Sequence, residues 1–157
     1  RLKILKGIKN TTIIDDTYNA APASMHLALD TLKEFPAKRK IAILGDMLEL
    51  GKYTVQAHQE IGNLAGGSVD ILVTVGLGAK FIADSAANQM DSKNIYSFAT
   101  ADLAKIKVQE LISEGDLVLV KGSQGVRMEK IVEEIMVEPE KKKELLVRQG
   151  KKWVITK

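Results

Sequence analysis

Thr11-Thr12-Ile13-Ile14-Asp15-Asp16-Thr17-Tyr18-Asn19-Ala20-Ala21-Pro22-Ala23-Ser24 is the stretch on which the reading of this chain turns. A β-branched apolar run, the composition of a buried strand, stops at two carboxylates. A phenol and a carboxamide follow, and then Pro22, which fits the first turn of a helix because its missing N–H is no loss there. Met25, Leu29, Leu32 and Phe35 recur at spacings of three and four, one face of a helix that Pro36 closes. Strand, polar loop and helix thus succeed one another without a spacer. In an open α/β sheet, the carboxyl ends of strands and the N-termini of helices are where ligands bind.

The same unit repeats outward. Lys40 to Gly45 and Ile71 to Gly76 are continuous apolar runs ending in glycine, as expected of strands buried on both faces. Leu117 to Gly122 is a third such run, and Ile95 to Phe98 is a shorter strand. Helices are expected from Thr54, as its N-cap, to Ala65, from Ala79 to Met90, from a Thr100 cap to Ser113, and from Val126 to Val137. Before the central stretch, Leu2, Ile4 and Leu5 form a short strand, and Gly7 to Asn10 turn it back as a hairpin. The expected fold is α/β and Rossmann-like: a doubly wound, mostly parallel sheet with an N-terminal hairpin or antiparallel edge strand.

Length suits one domain with a proper core, and at 4% aromatics that core must be aliphatic. The absence of cysteine removes disulfides and thiolate metal sites, and two histidines are too few for a histidine-rich one. No apolar run approaches the roughly 18 residues of a membrane span. The net charge of +3 comes largely from Lys141, Lys142, Lys143, Arg148, Lys151, Lys152 and Lys157, so the body is near neutral and lacks a nucleic-acid footprint. The chain opens on Arg1, already within a strand, which reads as a piece whose upstream neighbour is missing.

Every loop that comes after an apolar strand falls on the same sheet edge, and each is polar or glycine-rich. In the first, Asn19 offers a donor and an acceptor to a ribose or base edge, Tyr18 can stack or donate, and Asp15 or Asp16 can hold a cation or amine. Equally, Asp16 and Asn19 can make Asx-turns and cap the helix. Gly45-Asp46-Met47-Leu48-Glu49-Leu50-Gly51 sets two carboxylates three apart between glycines. They can bind a substrate ammonium or support general-base work. Alternatively, Met47, Leu48 and Leu50 pack inward and leave the acids in solvent. Lys121-Gly122-Ser123-Gln124-Gly125-Val126-Arg127 brings glycine-rich amides, a hydroxyl and two cations to a helix N-terminus, which is anion-binding chemistry. Neither Gly-x-x-x-x-Gly-Lys-Ser/Thr nor Gly-x-Gly-x-x-Gly occurs; Gly76-Leu77-Gly78 supplies only the first two glycines of the latter. His26 and His58 read as solvated or satisfied helix histidines.

Taken together, these segments resemble the C-terminal domain of the peptidoglycan Mur ligases, nearest the type that joins D-alanyl-D-alanine to UDP-N-acetylmuramoyl-tripeptide. The family's Asp-Asp-Ser-Tyr-Asn-Ala-Asn-Pro stands here as Asp15 to Pro22, and its Leu-Gly-Asp-Met-x-Glu-Leu-Gly as Leu44 to Gly51. A downstream histidine matches His58, and Val-Lys-Gly-Ser with a later Glu matches Val120, Lys121, Gly122, Ser123 and Glu129. The resemblance runs from Arg1 to Val137, which makes residues 1–137 one domain and 138–157 a basic tail.

The resemblance implies an ATP-dependent, amide-forming ligase. ATP phosphorylates the peptide carboxylate, the amine of D-alanyl-D-alanine attacks the acyl phosphate, and phosphate leaves. It implies nucleotide contacts from Asp16, Tyr18, Asn19 and Pro22. It implies substrate contacts from Asp46, Met47, Glu49, Lys121, Gly122, Ser123 and Arg127. It places no catalytic residue and no metal ligand in this stretch, because ATP and Mg2+ are held mainly by a missing central domain with a P-loop and a carbamylated lysine. The implied partners are the tripeptide, the dipeptide and the missing N-terminal and central domains. The implied setting is the bacterial cytoplasm, with no membrane or nucleic-acid partner. One departure stands out: the family's second Asn is Ala21 here, so a carboxamide's hydrogen bonds are absent. Competing readings are another Mur or folylpolyglutamate-type ligase domain, and a non-catalytic binding module of the same fold.

Overall fold

Apolar runs without alternation become strands covered on both faces, and periodic runs become the helices that cover them. The computed structural model describes residues 2–146. Arg1 and residues 147–157, the end of the expected basic tail, lie outside the described residues. The strands are β1 (Lys3–Gly7), β2 (Thr11–Asp16), β3 (Lys40–Gly45), β4 (Ile71–Val75), β5 (Ile95–Phe98) and β6 (Leu117–Lys121). The helices are α1 (Pro22–Glu34), α2 (Thr54–Gly66), α3 (Ala79–Ala86), α4 (Ala101–Leu111), α5 (Glu129–Ile135) and the short α6 (Lys142–Leu145).

The strands form one sheet in the order β1-β2-β6-β3-β4-β5. β1 runs antiparallel to β2 and every other pair is parallel, so the expected edge strand is present. One face buries Ile14, Leu44, Leu72 and Leu119 against α1, α2 and α3. The other buries Ile13, Ile43, Val73 and Val120 against α4 and α5. The winding is therefore double, and β6 returns into the gap between β2 and β3. At the far ends of these strands, Arg39 clamps Asp116 with Nε at 3.0 Å and Nη2 at 2.7 Å, tying the starts of β3 and β6. Beyond α5, Leu146 is buried against the α4–α5 core, and Lys3 Nζ donates to the Leu145 carbonyl at 2.8 Å.

Several expected boundaries move, among them the end of α4, at Leu111 rather than Ser113. α3 ends at Ala86 rather than Met90, because Asn88 and Gln89 close i→i+3 bonds to Ser85 and Ala86 at 3.2 and 2.9 Å and tighten the chain into a turn. The last helix runs from Glu129 to Ile135, not from Val126 to Val137. Arg127 takes a left-handed φ of 61°, which no helix accommodates, and Met136 is extended and bridges to Gly7. Thr54 is the first residue of α2 rather than its N-cap, and its hydroxyl donates to the Gly51 carbonyl at 2.7 Å. The Thr100 cap is as expected, accepting from Leu103 N–H at 3.3 Å.

Candidate functional site

Inserting β6 between β2 and β3 sets the loops 16–21, 121–127 and 46–51 side by side at the carboxyl ends of the strands. Each loop is fixed by side chains of its neighbours.

The first loop is held from below by Asp15, which is 1% exposed. Its Oδ1 accepts from the Thr17 N–H at 3.2 Å and the Thr17 hydroxyl at 2.7 Å, so Asp15, rather than Asp16, makes the Asx-type turn. Its Oδ2 is buried without a hydrogen-bond partner. Burial pushes the Asp15 carboxyl above the ordinary carboxylate value, opposed by the two Thr17 hydrogen bonds and by Lys3 across the strand pair. Asp16 meets Lys121 instead, Oδ2 to Nζ at 2.9 Å. The same ammonium donates to the Asn19 carbonyl at 2.9 Å. Ser123 Oγ donates to the Ala20 carbonyl at 3.2 Å and accepts from the Leu48 N–H at 2.9 Å. Lys121 and Ser123 therefore bind loop backbone.

Ala21 stands at the N-cap of α1 and is solvent-exposed. Its methyl can accept nothing, so half of a capping box is lost. The other half persists: Ser24 Oγ accepts from the Ala21 N–H at 3.0 Å. The family's second Asn is thus replaced at a cap position. Asn19 does not cap the helix, and Pro22 opens it as its first residue.

The second loop is tied at three consecutive residues. Asp46 Oδ1 accepts from the Ala79 N–H at 2.6 Å, at the start of α3. Met47 N–H donates to His58 Nε2 at 3.0 Å, and Leu48 N–H reaches Ser123. Gly76, at φ +114°, leaves room for this: a Cβ there would stand 2.3 Å from Asp46 Oδ2. The loop then turns through Glu49 at φ +65°, a left-handed conformation rare for a non-glycine residue and often found at functional sites. Met47 packs inward as expected, being 1% exposed, but Leu48 is 45% exposed and does not.

Between the loops lies a cleft of about 280 Å³ lined by Asn19, Leu48, Glu49, Ser123, Gln124 and Gly125. It offers two carboxamides, one carboxylate, one hydroxyl and an apolar wall. Of the expected site residues, Asn19, Glu49 and Ser123 meet here. Asp46 and Met47 line an adjoining pocket of about 130 Å³ with Glu49 and His58. Asp16 and Lys121 face each other, and Tyr18 is exposed beside them. Gly122 packs against β3, where a Cβ would stand 3.0 Å from Gly45 Cα. Arg127 turns away to Glu129, donating from Nε to Oε1. Leu48, Gln124 and Gly125 join the cleft without a residue-level signal of their own; only membership of the two glycine-bounded loops points to them.

Comparison with known proteins places this edge in a family. Residues 1–124 match the model described as Mur ligase, glutamate ligase domain. The UDP-N-acetylmuramoyl-tripeptide–D-alanyl-D-alanine ligase of Rickettsia prowazekii is 37% identical over 129 residues, covering 81% of this chain and 28% of that protein. The same-named ligase of Bacillus subtilis is 33% identical over 141 residues, covering 88% and 31%. Among solved structures, the Thermotoga maritima MurF ligase in complex with ADP superposes with a TM-score of 0.65 at 29% identity, covering 90% of this chain and 31% of that one. A MurF from Acinetobacter baumannii gives 0.69 at 30% identity, covering 84% and 29%. The chain thus spans less than a third of the length of the curated relatives it matches.

Proposed function

Since the chain belongs to the Mur ligase family, we propose that it is the part of an ATP-dependent amide-forming ligase that closes over the nucleotide and positions the incoming amine. The acceptor is a UDP-N-acetylmuramoyl-tripeptide carboxylate and the amine is that of D-alanyl-D-alanine, in bacterial cytoplasmic peptidoglycan synthesis. The observation that carries this reading is the cleft: loops from three adjacent strands, each fixed by its neighbours, converge around Asn19, Glu49 and Ser123. Preorganised groups of this kind act by orientation, which converts a two-substrate reaction into an effectively unimolecular step.

The roles divide by loop. Tyr18 and the Asn19 side chain face the nucleotide. Glu49 draws the dipeptide ammonium, and Ser123, Gln124 and the Gly125 backbone orient its amide and carboxylate. The ammonium gives up one proton to solvent to become the amine that attacks the acyl phosphate. Its lone pair forms the N–C bond, the C–O bond to phosphate breaks, phosphate leaves, and the nitrogen loses its second proton to give the neutral amide. ATP and Mg2+ are supplied mainly from another domain. Asp16, the carboxylate on the nucleotide loop, already faces Lys121 at 2.9 Å and is a poor magnesium ligand, so no step is assigned to the metal here.

A chimaera tests the reading: this chain replaces the corresponding third of a full-length relative, and dipeptide-dependent ADP release is measured. Glu49→Gln should raise KM for D-alanyl-D-alanine at least about tenfold with KM for ATP unchanged, the size of one lost charge-assisted contact. Asn19→Ala should do the reverse. A Glu49→Gln chimaera with an unchanged dipeptide KM would remove the assignment.

A further inference from the structure

His58 lies in the first half of α2 and is wholly buried. Its Nδ1 is 2.6 Å from the Thr54 carbonyl oxygen, and its Nε2 is 3.0 Å from the Met47 amide nitrogen. A carbonyl only accepts and an amide N–H only donates. The two partners therefore select one form of the ring: neutral, with its hydrogen on Nδ1 and a lone pair on Nε2. Met47 is the middle residue of the three consecutive ties, with Asp46 held by α3 and Leu48 held by Ser123. Glu49 is the next residue in the chain, in its left-handed conformation at the mouth of the cleft.

We propose that His58 is a positioning residue: its neutral Nδ1–H tautomer sets the backbone of residues 46–49, and a proton added at Nε2 releases it. The catalytic consequence rests on reading the cleft as the amine site; the loop tie itself does not. Protonation would set two donors face to face, Nε2–H against the Met47 N–H. The titratable residues facing the ring are Asp46 and Glu49, which share its pocket; the chain entering α3 meets it with Gly78, which carries no side chain. A Cβ at Gly78 would stand 3.1 Å from His58 Nε2 and 3.2 Å from Asp46 Oδ1, so ring and carboxylate abut the same spot at the entrance to α3. An imidazolium would therefore also compete for the carboxylate that caps α3. One proton weakens two of the three ties.

The test is nitrogen NMR and amide exchange on this chain. The ring nitrogens of His58 should show a single neutral tautomer with Nδ1 protonated, while exposed His26 serves as the internal reference. On acidification, the exchange protection of Met47 and Leu48 should fall in step with the His58 titration, while amides of β4 and β6 hold. His58→Phe should cut Met47 protection about tenfold, the factor one such hydrogen bond carries. His58→Gln, which keeps an acceptor, should recover most of it and lose the pH dependence. A neutral proton on Nε2, or equal Met47 protection in the Phe, Gln and wild-type chains, overturns the proposal. Should His58→Phe fail to fold, the wild-type tautomer and pH series decide alone. None of these readouts involves a dipeptide, so a tied loop that binds no dipeptide would count against the ligase assignment and leave the His58 proposal standing.

Discussion

Lys121→Met keeps the aliphatic stem and deletes the ammonium. The Lys121 side chain is 2% exposed, and its ammonium holds two acceptors, Asp16 Oδ2 and the Asn19 carbonyl, each at 2.9 Å. Removing one partner of a buried ion pair costs about 3–5 kcal/mol in general. Asp16 is 16% exposed and water can reach it, which argues for the lower end. The orphaned Asn19 carbonyl lies near the surface and adds little. The expected loss is therefore about 3 kcal/mol, or about 6–12 °C in Tm for a chain of this size. Urea denaturation followed by far-ultraviolet circular dichroism measures it, and an unchanged m-value would show that stability rather than compactness has moved. A double-mutant cycle with Asp16→Asn should return a coupling of about 1–3 kcal/mol. A loss below about 1 kcal/mol, with coupling near zero, would sink the strut role. Lys121 would then be a solvated cation available to a substrate.

Other perturbations draw on the same geometry. Ala21→Asn restores the missing arm of the α1 cap and should stabilise the fold by about 1 kcal/mol, read as a shift in the urea midpoint. Gly76→Ala forces a Cβ onto the Asp46 carboxyl at a φ of +114° and should cost about 3 kcal/mol from overpacking plus backbone strain; a neutral result would mean that Asp46 does not need that space. Asp15 is expected to make stability depend on pH. Its carboxyl is raised from 3.8 by burial, so the folded state favours the protonated form; that contribution is fully present below 3.8 and is lost as pH rises through the raised folded value. Asp15→Asn abolishes this titration, so its stability relative to wild type should climb as pH rises above 3.8 and level off past the raised folded value; parallel curves would contradict the burial argument.

The strand–loop–helix units are legible in the sequence because each rests on local pattern. Ile71 to Val75 has no alternation and is buried throughout; Pro22 opens α1, and Thr100 caps α4. The gathering of polar loops on one edge comes from parallel strands alone. Nothing local in Leu117-Val118-Leu119-Val120-Lys121 says that this strand inserts between β2 and β3. That pairing lays Lys121 opposite Asp16, far away in sequence, and turns a cation that reads as a substrate contact into a buried strut. The start of α5 escapes sequence reading for a similar reason: Arg127 adopts its left-handed turn beside Glu129, and no periodicity encodes that. His58 carries an ordinary helix-histidine signal, and its Met47 partner is visible only once the β3 loop has folded back over α2.

Whether the cleft takes the dipeptide amine is decided most directly by titrating the nitrogen-15-labelled chain with D-alanyl-D-alanine and recording its amide shifts. Saturable changes are expected at Leu48, Glu49, Ser123, Gln124 and Gly125, the part of the cleft assigned to the dipeptide, together with their loss in Glu49→Gln. Saturable changes elsewhere, for instance in the apolar groove between Ile4 and Val137, with none at the cleft, would contradict the assignment.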